Sequence, residues 1–437
     1  RNKRLTVSMW RCRSFIGSPE NKRERLIRKE EKEDFGRHFF SIPYSPAFNY
    51  VQTMKQADSI YLDHAAGTFL LPEVRDTLSN WLNSQIANPS SIHHEGRLAA
   101  AALDSARQTI AESIGSKPSE IIFTSGGTEA NNMAILGGAY SLQGRGNHVI
   151  TCRTEHPSIL ESFAHLKKDG FQVSYLGTDS HGQIDLDELK ASIRDDTILV
   201  SLMWVNNETG LLHPIAEIAR IAKEKGVRFH CDSVQALGHF PIRVDALPAD
   251  SLAFSGHKIG APAGIGVLYL RKGTSLARLQ QGGSQESNFR GGTQNHMGSQ
   301  AFAQALRHHQ DHLGSYTEKF NRLMDHLLER LKPLPGIQIN RQGKSYTPNI
   351  LNCSFHRIDG EALFIRLDMK NLAVSNGSAC SSGSQAPSHV LSALGFNESL
   401  AQASLRISLG IQTTIQEIDR FCDELEQIIL SIQRDID

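Results

Sequence analysis

Between residues 121 and 270 the chain alternates short β-branched apolar runs with longer amphipathic stretches, and nearly every run ends in small or polar residues. Runs at 121–124, 148–152, 171–176, 197–204, 227–231, 250–254 and 267–270 read as strands, because each is short, apolar and bounded by turn-forming residues. Segments 158–168, 185–193 and 215–225 carry apolar residues at helical spacing and read as helices. Strand and helix alternating in this way over about two hundred residues predict a mostly parallel sheet covered on both faces, an α/β fold. Ligands of such sheets gather at the carboxyl ends of the strands.

The polar residues stand where that rule requires. Thr128, His156, Asn207, Asp232, Gln235 and Lys258 each follow a predicted strand within a few positions. Any one of them alone reads as a cap or turn residue, but six together predict one crevice that collects them. Lys258 closes Ser255-Gly256-His257-Lys258 and opens into the glycine-rich stretch 259–266, so a strand delivers one long amine into a tight turn. A lysine there is either a solvated surface charge or a Schiff-base amine; the other five residues favour the amine. Ser125-Gly126-Gly127-Thr128 sits between a strand and a helix, as an ordinary cap or as a phosphate cradle at a helix N-terminus. It is not a P-loop, since no lysine follows the glycines at the required place.

The flanking regions read differently. A strand at 60–62 runs into Asp63-His64-Ala65-Ala66-Gly67-Thr68, with helices at 72–82 and 97–114 beyond it. After the lysine come the loops 282–285 and 290–295, then helices at 297–312 and 317–331. His308 and His312, at i and i+4, could grip a metal, but no third ligand is near in sequence and a solvated helix face is expected; no metal site is predicted. From residue 337 the text changes to strands at 350–355, 372–376 and 405–409 and a last helix at 415–432, opened by a Thr414/Glu417 capping box. This predicts a smaller α+β domain. Its loop 375–384 is built almost wholly of small residues around one thiol, Cys380, which predicts an exposed, mobile loop.

Composition bounds the function. Lys+Arg 46 equals Asp+Glu 46 over 437 residues, so no global field favours nucleic acid or an anionic membrane, and small molecules or proteins are the expected partners. The six cysteines (Cys12, Cys152, Cys231, Cys353, Cys380 and Cys422) show no C-x-x-C pair and fit a reducing compartment. No apolar run approaches the roughly 20 residues of a membrane span. Residues 1–58 open basic and pass into a charged run at 20–34, a poor match to a transit peptide; they are read as a poorly packed or non-native extension, and the protein as cytoplasmic.

Taken together, 61–68, 125–132, 154–156, 206–208, Asp232 with Gln235, 255–258, 290–293, 378–382 and Arg406-Ile407-Ser408-Leu409-Gly410 resemble the class V aminotransferase-fold cysteine desulfurases of the NifS/IscS type. The resemblance spans about residues 59–435. It implies a homodimeric, pyridoxal-phosphate-dependent enzyme of fold-type I, with a seven-stranded type of sheet in a large domain at 59–312, whose first strand lies near the small domain. The small domain at 313–437 would carry the catalytic cysteine loop. It further implies that Lys258 holds the cofactor as a Schiff base and that Asp232 pairs with the pyridinium nitrogen. Gln235 would bond the ring hydroxyl and His156 would stack on the ring and move protons. Gly127, Thr128, Ser255 and His257 would bind the phosphate, with Thr293 reaching it from the other subunit. Asn207 and Arg406 would take the substrate carboxylate, and Cys380 would receive sulfur from L-cysteine as a persulfide, leaving L-alanine. An acceptor protein would then collect the sulfur for iron–sulfur clusters, thio-cofactors or tRNA.

His64 stands where many such relatives have asparagine, and Gly67 where threonine is common; both bear on substrate entry rather than on the chemistry. A selenocysteine or cystine/cysteine lyase on the same scaffold, and a scaffold that has lost catalysis and binds a sulfur acceptor, are the competing readings. Intact Lys258, Asp232, His156 and Cys380 weigh against the last of these.

Overall fold

The computed structural model describes residues 59–84, 87–376 and 387–436. The extension at 1–58 and the Cys380 thiol therefore lie outside the described residues. Twelve strands are described: β1 (Ile60–Tyr61), β2 (Ile121–Thr124), β3 (His148–Cys152), β4 (Gln172–Leu176), β5 (Thr197–Ser201), β6 (Arg228–Asp232), β7 (Ser251–Ser255), β8 (Gly266–Leu270), β9 (Ile337–Ile339), β10 (Ile350–Phe355), β11 (Leu372–Ala373) and β12 (Ser404–Ser408). Seven of them make one sheet in the order β2-β8-β7-β6-β5-β3-β4, parallel throughout except for β8, which runs antiparallel to both neighbours. The expected mostly parallel sheet is thus present.

Both faces of this sheet are covered, which is why its strands read as nearly unbroken apolar runs. Along β3, Val149 enters the cluster that holds Ile159 and Phe163, while Ile150 and Cys152 enter the one that holds Val200, Phe229 and Phe254. The covering helices are α1 (Pro72–Leu82), α2 (His94–Ile114), α3 (Gly127–Asn132), α4 (Gly138–Leu142), α5 (Pro157–Lys168), α6 (Leu186–Ser192) and α7 (Ile215–Glu224). Between α3 and α4 the chain widens into a π-turn at Met133–Gly137, so one irregular helix leaves the 125–128 turn.

A second, antiparallel sheet, in the order β12-β10-β9, packs with α9 (Gly360–Met369), α10 (His389–Ala393), α11 (Glu398–Gln402) and α12 (Ile415–Ile436). Leu351, Cys353, Leu405 and Ile407 from its strands meet Phe421 and Leu425 of α12 in a separate core. Each such aliphatic or aromatic side chain contributes about 1.5–3 kcal/mol on burial. The Thr414 capping box opens α12 as expected: Thr414 N–H donates to Glu417 (2.8 Å) and Glu417 N–H donates to Thr414 Oγ1 (3.2 Å).

The two sheets are joined by α8 (His296–Leu331), 36 residues long, where the sequence predicts two helices broken near residue 314. Gly314 and Ser315 weaken helix propensity without forcing a break, and Ser315 Oγ simply donates back to His312 O (2.8 Å). The front of this helix packs on α1 and α2 and its rear on α12. His308 and His312 stack on one another at 4.6 Å; His308 Nε2 meets the Tyr316 hydroxyl at 2.6 Å, and its Nδ1 is 3.5 Å from Glu73.

What most directly positions the site is the short segment 60–68. Strand β1 pairs in parallel with β11, and Ser408 of β12 donates its N–H to Leu62 O (2.7 Å) while accepting from Ala65 N–H at its hydroxyl (2.9 Å). At its far end Thr68 N–H donates to His257 O (2.9 Å). One stretch of chain is therefore tied both to the small sheet and to the lysine turn.

Candidate active site

Lys258 ends a single 3₁₀ turn, Gly256–Lys258, directly after β7. Its Nζ donates to Ala65 O (2.5 Å) and Ala66 O (2.8 Å). Gln235, on the turn after β6, donates to the same Ala65 carbonyl at 2.9 Å, so amine and amide stand side by side. Asp232, the last residue of β6, is 7% exposed: its Oδ1 accepts from Val234 N–H (3.0 Å) and its Oδ2 from Asn131 Nδ2 (2.8 Å). The carboxylate is aimed by two donors rather than left to solvent.

Behind Asp232 runs a chain of buried polar groups that the sequence reading does not single out. Asn131 also donates to Ser158 Oγ (2.9 Å), its Oδ1 meets His230 Nε2 (3.0 Å), and His230 Nδ1 meets Ser251 Oγ (2.9 Å). Burial holds His230 neutral, pushing its pKa down to about 4, so it carries one N–H and one acceptor nitrogen.

His156 caps α5, its Nδ1 lying 2.8 Å from Ser158 Oγ. Burial lowers its pKa; the Asp232 charge opposes the shift, and Lys258 adds to it. His257 is pushed down to about 4 by burial and by Lys258, and its Nδ1 meets Ser255 Oγ at 2.9 Å. Both rings are therefore neutral near pH 7 and able to accept or share a proton.

The turn before α3 has the form of an anion cradle. Gly126 holds the cap position, and no side chain caps the helix. Glycine is required nearby for close approach: a Cβ on Gly266 would lie 2.5 Å from Gly126 Cα, and one on Gly127 would lie 2.7 Å from Val234 Cγ2 and 3.5 Å from Ser255 Cβ. Helix amides, the Ser255 hydroxyl and His257 thus converge beside Asp232 and Gln235, with Thr128 exposed on the first turn. Thr293 is exposed on the loop before the long helix.

Arg406, on β12, is 2% exposed. Its Nη2 donates to Asp63 Oδ1 (2.7 Å) and its Nη1 to Asn207 O (3.1 Å), while its Nε is buried with no partner among the described residues. A buried guanidinium N–H left over in this way suits one more anionic oxygen. Next to Asn207, the Glu208 carboxylate accepts from Ser388 Oγ at 2.5 Å; burial raises its pKa to about 7 against the lowering effects of Ser388 and Arg406. Asp63, Asn131, Glu208 and Ser388 are participants that single-position reading misses. The first three do lie inside the motifs already quoted.

His64, the departure from the common asparagine, is buried. Its Nδ1 lies 3.1 Å from Thr68 Oγ1, its ring lies against the Gly410 backbone, and burial takes its pKa to about 4. It packs the segment that carries Ala65 and Ala66 and lines a small cavity together with Gln235 and Lys258. A cavity of about 830 Å³ lies elsewhere: residues such as Thr197, Arg228 and Asp250 put it at the opposite ends of β5, β6 and β7, away from this chemistry.

The donor set fits pyridoxal phosphate: an amine for the aldehyde carbon, an oriented carboxylate for the ring nitrogen, an amide donor for the ring hydroxyl, and an uncapped helix end for the phosphate. The aminotransferase class-V family model matches residues 60–421. The chain is 44% identical over 371 residues to cysteine desulfurase IscS of Dictyoglomus turgidum, covering 85% of this chain and 94% of that one. IscS proteins of other organisms match at 39–42%. A solved NifS-like protein superposes with a TM-score of 0.80 at 34% identity, covering 85% of this chain and 99% of its own. A structure described as SspA in complex with cysteine superposes at 0.72 and 34% identity, covering 80% and 98%. The chain belongs to the class-V aminotransferases and, among them, to the cysteine desulfurases, which are pyridoxal-phosphate-dependent enzymes.

Proposed function

We propose that this protein takes sulfur from L-cysteine, releases L-alanine and holds the sulfur as a persulfide on Cys380 for an acceptor protein. The observation that carries the reading is the double use of segment 63–66: its Ala65 and Ala66 carbonyls hold the Lys258 amine, and its Asp63 holds Arg406. The amine that would carry the cofactor and a carboxylate-binding group are thereby set at a fixed spacing, which is what an amino-acid substrate requires.

Lys258 would hold the cofactor, Asp232 its ring nitrogen, Gln235 its hydroxyl, and Gly127, Thr128, Ser255 and His257 its phosphate. Bound there, pyridoxal phosphate supplies an electron sink that acidifies the substrate Cα–H. The chain's own groups do the rest. Lys258 Nζ, once displaced, takes the Cα proton and returns it. Neutral His156 is ready to receive and pass on a proton beside it. Asn207 and the spare Nε of Arg406 orient the carboxylate.

The Cys380 thiolate would attack the substrate sulfur: an S–S bond forms, the Cβ–S bond breaks, and its electron pair ends in a new Cβ–H bond. Thiol plus cysteine give persulfide plus alanine, so no outside oxidant is consumed. Four other cysteines are unsuited to this step. Cys152, Cys231, Cys353 and Cys422 are buried, and burial pushes each thiol pKa up, to about 11 for Cys152 and about 12 for Cys353 and Cys422. That supports assigning the role to the cysteine of Gly377-Ser378-Ala379-Cys380.

The protein would act as a homodimer, Thr293 serving the phosphate of the partner's site; its exposure on the loop before the long helix leaves it available for this. The setting would be cytoplasmic, a reading that rests on the wide spacing of the six cysteines. The test is alanine and sulfide formation from L-cysteine with a reductant. Wild type should turn over, and Lys258→Ala and Cys380→Ser should not; full turnover by Cys380→Ser would replace this reading with a lyase.

A further inference from the structure

Around Arg406 lies a charge cluster whose count does not close once a substrate arrives. Its guanidinium holds Asp63 at 2.7 Å and donates to the carbonyl of Asn207, the residue before Glu208, whose ionised carboxylate it favours through its charge. Both Arg406 and Glu208 are almost wholly buried, at 2% and 3% exposure. With Glu208 ionised, one positive charge already meets two negative ones, and a bound substrate carboxylate would add a third. Burying a second uncompensated negative charge is costly, and the cheapest relief is a proton.

Geometry decides which carboxylate takes it. Asp63 is paired directly with the guanidinium and its side chain is 19% exposed, so its carboxylate is both compensated and partly solvated. Glu208 has only a neutral donor, Ser388 Oγ at 2.5 Å, and that hydroxyl is shared: it also accepts from the Val390 and Leu391 N–H groups at the start of α10 (3.1 and 3.2 Å). Among the described residues, the other groups packed around Glu208 come from its own loop, β10, β12 and α10. On its own loop Asn206 Oδ1 accepts the Glu208 N–H (2.9 Å), from β10 Asn352 Nδ2 donates to the Glu208 carbonyl (3.4 Å), and from β12 comes Arg406. His389, next to Ser388, has its Nε2 turned to Glu155 O (2.9 Å).

We propose that Glu208 is a positioning residue for the substrate carboxylate: it acts through Arg406 and takes up a proton when an anion occupies the buried Nε side of that guanidinium. This rests on the carboxylate site proposed above. In the empty protein Glu208 titrates at about 7. A carboxylate at Arg406 weakens the one positive field that favours its ionised form, so its pKa climbs further and binding draws a proton from solvent. The sign follows: the anion binds best below pH 7 and progressively less well above it. For each unit by which the ligand raises that pKa, affinity should be about tenfold lower at high pH than at low pH. Ser388 sets the window, since its hydroxyl favours the ionised carboxylate.

The probe is propionate, which carries the carboxylate but neither the amine nor the sulfur, titrated calorimetrically into the holoenzyme in buffers of different ionisation enthalpy. Wild type should take up roughly half a proton per site at pH 7, the share of Glu208 that is ionised there. Glu208→Gln, which keeps shape and hydrogen bonding, should bind propionate with no uptake and no pH dependence. Ser388→Ala should move the pH of maximal uptake upward. Equal uptake by wild type and Glu208→Gln, an unmoved window in Ser388→Ala, or no propionate binding by wild type overturns the proposal. The same preparations are assayed for alanine from L-cysteine: alanine formed without coupled uptake refutes this inference alone, and no alanine at all refutes the functional reading beneath it.

Discussion

Replacing Asn131 by alanine should loosen the cofactor far more than it loosens the fold's outer regions. Asn131 makes three buried contacts: Nδ2 donates to Asp232 Oδ2 (2.8 Å) and Ser158 Oγ (2.9 Å), and Oδ1 meets His230 Nε2 (3.0 Å). The bond to Asp232 is charge-assisted and worth about 1.5–3 kcal/mol. It holds the carboxylate at the angle from which it would meet a ring nitrogen. Losing it should weaken pyridoxal-phosphate affinity by about 10- to 150-fold, the same energy at 1.36 kcal/mol per factor of ten. His230 is left with an unpaired buried nitrogen, a further cost of about 1–3 kcal/mol to stability. Asn131→Asp sets a second carboxylate within contact of Asp232 and should be worse for the cofactor than alanine. The assay is equilibrium dialysis of cofactor from each variant, with a urea melt alongside to show that the protein is folded. Unchanged cofactor affinity in a folded Asn131→Ala would refute the claim that Asp232 is aimed by this chain of groups.

Other outcomes follow from the same geometry. Gly410→Ala puts a methyl within 2.2–2.4 Å of the His64 ring, and repacking should cost about 1–3 kcal/mol in a urea melt; no loss would mean His64 is not seated there. Native alkylation should spare Cys152, Cys231, Cys353 and Cys422, all buried, and label them only after unfolding, as read by peptide mass mapping. The Glu155 carboxyl is buried, and burial holds its pKa well above the ordinary carboxyl range, with Oε1 accepting from Met203 N–H (2.7 Å). A raised carboxyl pKa means the folded state holds a proton the unfolded state releases, so stability falls as pH rises above about 4.5. Glu155→Gln should remove that slope, and its advantage over wild type should grow between pH 5 and pH 8; a difference independent of pH would contradict it. His213 and His230 run the other way: with pKa values lowered to about 4 by burial, each gives stability that is complete above pH 6.5 and lost as pH falls toward 4.

The strand ends were legible because a parallel sheet buried on both faces writes its strands as apolar runs, and Asp232, Gln235, His156 and Lys258 follow those runs directly. The 72–82 and 97–114 helices and the Thr414 cap were legible for the corresponding reason, periodicity and a local capping pattern. What sequence could not supply was partnership across long chain separations. Asp63 and Arg406 are 343 positions apart and Glu208 and Ser388 are 180 apart. Nothing local to Asn131 says that it holds Asp232 rather than capping a turn. Similarly, Gly314 looks like a break until both halves of the helix find cores to pack on, after which tertiary contacts outweigh propensity. The seat of His64 on the Gly410 backbone, 346 positions away, could not be read from its motif either.

The most direct measurement is peptide mass mapping after the holoenzyme is mixed with one equivalent of L-cysteine in the absence of reductant. The Cys380 peptide should gain the mass of one sulfur atom while one alanine is released per site, and Cys12 should remain unmodified. Alanine released without added sulfur on Cys380, or the added sulfur found on another cysteine, would contradict the assignment of that thiol as the sulfur carrier.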